Sequence, residues 1–342
     1  MHKADLNWSE LGFGYIKTKC HLEFYFRDGK WSQTKIVEDD KISIGIASTC
    51  LHYGQECFEG LKVFETKNGD VQAFRVDENA KRMKNSAERI LMQPFPEEKF
   101  IEAVMQLVSL NREYIPPYGS GASLYIRPLL IGVSEIIGVK PSKEYIFLVF
   151  CTPVGPYFKT GMKPIRLRVE EQMDRAAPNG VGDVKVGGNY AASLKAAKKA
   201  EDLGFPAVLY VDPKEKKYID ESGPANFFGI THDNKYVTPK SASILPSITN
   251  KSLMTLAEDM GMTVEQRPIH ISELETFKEA GCCGTAAVIT PVKSVTYRDN
   301  EIVLAEGDKV GEISKKLYDC LTAIQTGDAE DKFRWNTKIP ID

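Results

Sequence analysis

The chain has 342 residues, 42% of them hydrophobic and 27% charged, enough to bury a sizeable core and to divide into two domains. Its 44 basic and 47 acidic residues leave a formal charge of -3, which argues against nucleic acid as a partner and against a surface held to anionic lipid.

The start, "MHKADLNWSELGFGYIKTKC", scatters charges where an export signal needs an apolar stretch, so a cytoplasmic location is expected. "HLEFYFRDGKW" predicts a hairpin turning at Asp28-Gly29, and the turn at Asn68-Gly69 between "CFEGLKVFET" and "VQAFRV" predicts another. This order suggests an antiparallel or mixed sheet. Asp77 reads as the N-cap of a helix through Met92, with Met83, Ala87, Ile90 and Leu91 on one face. Phe100, Val104, Leu107 and Val108 mark a second amphipathic helix, and the strands "SLYIRPLLIGV" and "YIFLVFC" follow. "YIFLVFC" is the longest apolar run and is too short to cross a bilayer, so no membrane association is expected.

"TPVGPYFKTGMKP", rich in Pro and Gly, reads as a linker and divides the chain into a smaller domain, 1–158, and a larger one, 159–342. Beyond it come strand "IRLRVEE", a helix ended by Gly204, strand "AVLYV" and a hairpin of "YIDES" with "NFFGI". Helices are expected from Thr249, from a capping box of Ser272 with Glu275, and from Val310 to Ile324. The tail after Thr326 is expected to be mobile. The cysteines, Cys20, Cys50, Cys57, Cys151, Cys282, Cys283 and Cys320, form no C-x-x-C pair and no zinc spacing. They read as thiols of a reducing compartment, and no metal site is expected.

"GDVKVGGNYAASLKAAKKAEDLG" sets Lys185 apart from the lysines of the helix that follows it. A lysine is ordinarily a solvated charge, but Lys185 lies between Val184 and Val186, and a desolvated amine loses the proton that blocks its nitrogen. A neutral amine attacks a carbonyl, which makes Lys185 a candidate Schiff-base anchor for pyridoxal phosphate. Such a cofactor also needs a carboxylate for its pyridine nitrogen and a cradle for its phosphate. "YIDESGPANFF" offers Glu221. Exposed N–H groups are offered by "SITNKS", around Ile248 and Thr249, and by "GCCGTAA", around Gly284 and Thr285.

Together "LHYGQECFEGLKVFE", "FRVDENAKRMKNSAERI", "LYIRPLLIG", "GDVKVGGNYAASL", "DESGPANFF", "SILPSIT" and "CGTAAVITPV" resemble the branched-chain amino acid aminotransferases, of the fold-type IV group of pyridoxal-phosphate enzymes. The likeness runs from about Leu11 to Gln325, and its segments suggest the longer, eukaryotic-like branch. It implies a two-domain α/β fold with mixed sheets flanked by helices and the cofactor between the domains. It implies that Lys185 forms the Schiff base and shuttles the proton, with Tyr190 against the phenolic oxygen and Glu221 on the pyridine nitrogen. By the same resemblance Arg82, Ile248, Thr249, Gly284 and Thr285 hold the phosphate, and Asn226 orders the loop around Glu221. Phe13, Tyr53, Phe58, Tyr125, Arg127 and Tyr157, with Thr285 and Ala286, correspond to the substrate pocket.

An aromatic-walled pocket suits leucine, isoleucine and valine, while Arg127 with a tyrosine hydroxyl receives the γ-carboxylate of glutamate. The implied reaction is reversible transfer of the amino group from these amino acids to 2-oxoglutarate. Family members are homodimers, and a loop around Ile137 and Val139 is expected to complete the neighbouring pocket. Animal members carry a redox-active C-x-x-C after "GTA"; here "GTAAVITPV" has no cysteine, which argues against thiol regulation of that kind. The alternatives are two enzymes sharing the fold and the lysine, D-amino acid aminotransferase and aminodeoxychorismate lyase, or a non-catalytic paralogue acting as a binding protein.

Overall fold

The computed structural model describes residues 2–157 and 161–341 and divides into two compact units. The first takes in the chain up to Tyr157, the short stretch Val184–Gly187 and the chain from Ile324 onward; the second comprises the rest, up to Asp183 and from Gly188 to Ala323. The expected boundary at 158 falls within residues 158–160, outside the described residues. Lys185 and the chain after Ile324, expected in the later domain, lie in the first unit instead, because their hydrogen bonds are made there.

In the first unit the strands run in the order Asn336–Ile339, Val71–Phe74, Leu61–Glu65, Ser123–Gly132, Tyr145–Val154, His21–Arg27 and Lys30–Trp31, each antiparallel to its neighbours. Glu56–Phe58 adds to Ser123–Gly132. Asp28 and Gly29 have φ of 50° and 76°, the left-handed pair that a two-residue hairpin matching strand twist requires. Helices Val76–Arg89 and Glu97–Leu110 cover the sheet, the second burying Phe100, Val104, Leu107 and Val108 as its periodicity predicts. The first helix stops short of the expected Met92. Leu91 leaves the predicted apolar face, with φ of 55° and 68% exposure, because the chain reverses after Arg89. Asp77 lies in the first turn, where its charge favours the helix dipole, while Arg75 is the cap. The core beneath is aromatic: Phe95 stacks on Phe147 with ring centroids 4.0 Å apart, and Phe24 and Phe100 pack around the pair.

The tail after Thr326 is ordered, contrary to expectation. Asn336–Ile339 pairs with Val71–Phe74, and the buried Trp335 stacks on Phe333 at 4.4 Å with the Arg75 guanidinium 5.2 Å from its ring. The sequence signal is weak because the segment "FRWNTKI" alternates around charges rather than forming an apolar run.

In the second unit the strands Ile219–Ser222, Ala207–Val211, Ile165–Glu170, Val288–Tyr297, Phe277–Gly284 and Ala225–Thr231 pair in that order, and the last pairs with the first. The sheet thereby closes into a ring around Leu167, Leu209, Phe227, Ile269 and Val295. Pairings in this sheet are mixed, parallel at Ile165–Glu170 with both its neighbours. Ser247 caps helix Ile248–Asp259 by accepting the Asn250 N–H, and His270 with Glu273, rather than Ser272 with Glu275, forms the capping box of a short 3₁₀ turn. The last helix runs Glu312–Thr326. Burial pushes the thiols of Cys151 and Cys282 up to about 12, so both stay protonated and inert at neutral pH.

One side chain in the first unit opposes this pattern of burial. Lys62, between buried Leu61 and Val63, is 9% exposed, and desolvation pushes its ammonium from an ordinary 10.5 down to about 8. Between those values the unfolded chain holds a proton that the folded chain has shed, so this site's contribution to stability rises with pH from 8 to 10.5, and below 8 its full penalty stands. Lys62→Met should therefore stabilise the protein at pH 7 by up to about 3 kcal/mol, an advantage that shrinks towards pH 10.5 when urea unfolding is followed across the range. Trp335→Ala should destabilise it by about 3 kcal/mol in the same assay, where a mobile tail would register nothing.

Candidate active site

Lys185 is fixed through its backbone. Its N–H donates to Ser86 Oγ at 3.0 Å, and its carbonyl accepts the Phe58 N–H at 3.1 Å. Two residues on, the Gly187 N–H donates to a carboxylate oxygen of Glu56. With Val184 and Val186 buried on either side, the half-buried lysine side chain extends the other way, its Nζ 4.7 Å from the centre of the Phe58 ring. Glu56 itself sits in a desolvated place. Burial pushes its carboxyl up, opposed by the Gly187 N–H and by the charge of Arg127.

Phe58, Arg127, Tyr125, Phe13 and Tyr157, expected in the pocket, form one chain of contacts. The Arg127 guanidinium lies 4.9 Å from the Phe58 ring centre and donates to Tyr125 Oη at 3.2 Å. Tyr125 meets Phe13 edge-on at 6.4 Å, and Phe13 meets Tyr157 at 6.0 Å. The Tyr125 hydroxyl sits where a Cβ on Gly60 would be, so this approach requires glycine there. Arg127 Nε is buried and, among the described residues, has no hydrogen-bond partner. Tyr53 stands apart from this chain and donates to the Ile137 carbonyl; Ile137 and Val139 are 78% and 81% exposed.

Arg82, on helix Val76–Arg89, is gripped by Glu59, which accepts from Nε at 2.7 Å and Nη2 at 2.8 Å. Glu59 is fully buried and also accepts from Asn79 Nδ2 at 2.7 Å. This pairing turns an arginine that reads as a surface helix charge into one of fixed orientation, with its Nε–Nη2 edge already committed.

The second unit carries the other expected residues. Glu221, 3% exposed, pairs in register with Asn226, accepts the Leu245 N–H at 2.5 Å, and lies 3.5 Å from Arg175 Nε. Asn226 Nδ2 donates to the Leu245 carbonyl at 3.2 Å, so it ties the loop before Ile248 and Thr249 to the strand Ala225–Thr231, which pairs with the strand carrying Glu221. Arg175 in turn donates to the carbonyls of Gly182 and Ser243. Asn226 is also in register with Cys283, which brings the turn Thr285–Ala286 to the same end of the sheet. That turn leads into Val288, a β-branched residue at φ 64°, a strained conformation of the kind found where a turn is shaped for a ligand. Tyr190 is half-buried in the helix Gly187–Asp202, where its carbonyl accepts from Ser193 Oγ.

Sequence reasoning missed the supporting residues Glu56, Glu59, Ser86, Lys62 and Arg175. A signal exists for two of the positions that anchor them: Asn79 and Ser86 fall on the buried face of their helix, and a polar residue there demands a partner. Arg175, Glu56 and Glu59 carry no such mark, since their partners are distant in sequence.

Residues 56–295 match the family described as Amino-transferase class IV. The chain is 49% identical to the branched-chain-amino-acid aminotransferase of Haemophilus influenzae, covering 98% of this chain and 99% of that protein. The fold matches the crystal structure of the Escherichia coli branched-chain amino acid aminotransferase with a TM-score of 0.79 at 27% identity, over 94% of this chain and 100% of that one. It also matches the crystal structure of a T.th. branched-chain amino acid aminotransferase with pyridoxamine 5′-phosphate, with a TM-score of 0.78 at 26% identity and the same coverage. The clamped lysine, the gripped arginine and the buried carboxylate are thus features of a chain that belongs to the class IV aminotransferases and, within them, to the branched-chain-amino-acid aminotransferases.

Proposed function

We propose that this chain transfers the amino group of leucine, isoleucine or valine reversibly to 2-oxoglutarate, using pyridoxal phosphate, and that Lys185 is the residue that bonds to the cofactor. The observation that carries this reading is the fixed backbone of Lys185, with its amine beside Phe58 and the Arg127 guanidinium over the same ring. The residues fit the cofactor and its substrates on two counts. Glu221 is a buried carboxylate already oriented by Leu245 and Arg175, and Arg127 Nε is a buried donor with no hydrogen-bond partner among the described residues.

Pyridoxal phosphate supplies an aldehyde that bonds to amines and a ring that draws electrons from the substrate carbon as it loses its proton. The remaining roles fall to the chain. The Lys185 amine takes the α-proton and returns it on the other side of the transferred nitrogen. Glu221 keeps the ring nitrogen protonated, Asn226 holds the loop beside it, and the Tyr190 hydroxyl faces the phenolic oxygen. Arg82 and the N–H groups and hydroxyls of Ile248, Thr249, Gly284 and Thr285 receive the phosphate. Phe13, Tyr53, Phe58, Tyr125 and Tyr157 exclude water around a branched side chain, and Thr285 with Ala286 contributes to substrate binding. Arg127 receives the second carboxylate of glutamate or 2-oxoglutarate. The working form on this reading is a cytoplasmic homodimer in which the loop of Ile137 and Val139 reaches the neighbouring pocket. Among the described residues no helix is long and apolar enough to cross a membrane.

Borohydride treatment of the yellow, cofactor-loaded protein should fix the label on Lys185, and L-leucine with 2-oxoglutarate should be turned over; a label elsewhere, or activity confined to D-alanine, overturns the reading. Arg127→Met should lower kcat/KM for 2-oxoglutarate by about 10- to 100-fold while sparing the branched 2-oxo acid, measured with each acceptor in turn.

A further inference from the structure

Glu56 has no role in the reading above, yet its placement is specific. It opens the strand Glu56–Phe58, whose third residue gives its N–H to the Lys185 carbonyl, and its own carboxylate takes the Gly187 N–H. The same short strand therefore holds the segment carrying the lysine at two points, the Lys185 carbonyl through main chain and the Gly187 N–H through a side chain. Ser86 holds it at a third, from the helix Val76–Arg89. Gly187 is the first residue of its helix, so its N–H has no intrahelical acceptor and would otherwise need water. A Cβ at Gly187 would fall against the Glu56 carboxylate, so a larger residue there would push the carboxylate off this amide. Because Glu56 is half-buried and its carboxyl is aimed at this amide, the bond has little competing solvent.

We propose that Glu56 is the positioning residue of Lys185: its carboxylate, by holding the Gly187 N–H, fixes the chain that carries the amine so that the amine meets the aldehyde and later the α-proton in one orientation. The inference rests on Lys185 being the covalently bonded lysine. Proton transfer and carbonyl attack are steep in geometry, and a shift of about 1 Å in a reacting group costs about 100-fold in rate. Glu56 touches neither substrate nor cofactor. Its effect passes through the backbone of Lys185 alone, which separates it from a residue that binds substrate.

The test compares Glu56→Ala, which removes the acceptor, with Glu56→Gln, which keeps a carbonyl oxygen at the same reach. Each variant is loaded with pyridoxal phosphate, treated with borohydride, and assayed for the fraction of label on Lys185 and the rate at which the apo-protein regains the visible absorbance of the bound cofactor. Steady-state kinetics with L-leucine run alongside. The expected result for Glu56→Ala is incomplete and slower labelling of Lys185, with kcat down by about 100-fold and KM for leucine within about twofold. Glu56→Gln should restore labelling and most of kcat. Should Glu56→Ala fail to fold, Glu56→Asp, which draws the carboxylate back by one methylene, should show the same kcat-specific fall.

Wild-type labelling and kcat in a folded Glu56→Ala or Glu56→Asp variant overturns the proposal, as does a loss expressed in KM alone. A wild-type label on some other residue overturns the reading beneath it, and this proposal with it, whereas correct wild-type labelling with an indifferent Glu56 overturns this proposal alone.

Discussion

The lysine's own peptide groups are the constraint on which the site depends. The Lys185 N–H goes to a helix hydroxyl and its carbonyl to a strand amide, so neither end of the residue is left to water. A long side chain on a mobile loop would spread its amine over several ångströms, and about 2 kcal/mol of rotamer entropy already opposes ordering it. Binding the backbone at both sides confines that loss to the side-chain torsions alone. It also explains why four residues, Val184–Gly187, belong with the antiparallel sheet although the residues flanking them belong with the other unit.

The same unit concentrates positive charge in poorly hydrated places. Lys62 is buried in the strand Leu61–Glu65, directly in register with Tyr125, and Arg127 stacks on Phe58 two residues along from that tyrosine. Arg82 is handled differently, its charge met by the buried carboxylate of Glu59. A buried ion pair regains much of the desolvation cost of its two charges, whereas a cation set against rings regains less, and an anion beside it would supply more. On the proposed function the second carboxylate of glutamate or 2-oxoglutarate would be such an anion, and the Phe58 and Tyr125 rings beside the Arg127 guanidinium would keep screening water from the pair.

Much of the fold is legible because its strands and helices keep clean periods. "YIFLVFC", "SLYIRPLLIGV" and "AVLYV" form the strands expected of them, and the apolar face of helix Glu97–Leu110 appears residue for residue. Expectation fails where tertiary pairing overrides local pattern. Leu91 looks like the continuation of a helix face, but the chain turns there and exposes it. Trp335 looks like part of a loose tail, yet a sheet edge and an arginine await it. At the site, a lone lysine between valines can be singled out from chemistry alone. The residues that hold it cannot, because Glu56 and Ser86 are brought to it only by the fold, from more than 90 positions away.

The pairing of Asn336–Ile339 with Val71–Phe74 joins segments separated by most of the polypeptide. On the ribosome, Val71–Phe74 emerges early and has one free edge until the last strand leaves the exit tunnel, by which time every residue of the ring-closed sheet has been made. The nascent first unit therefore carries an unpaired strand through nearly all of synthesis, which exposes it to pairing with other chains.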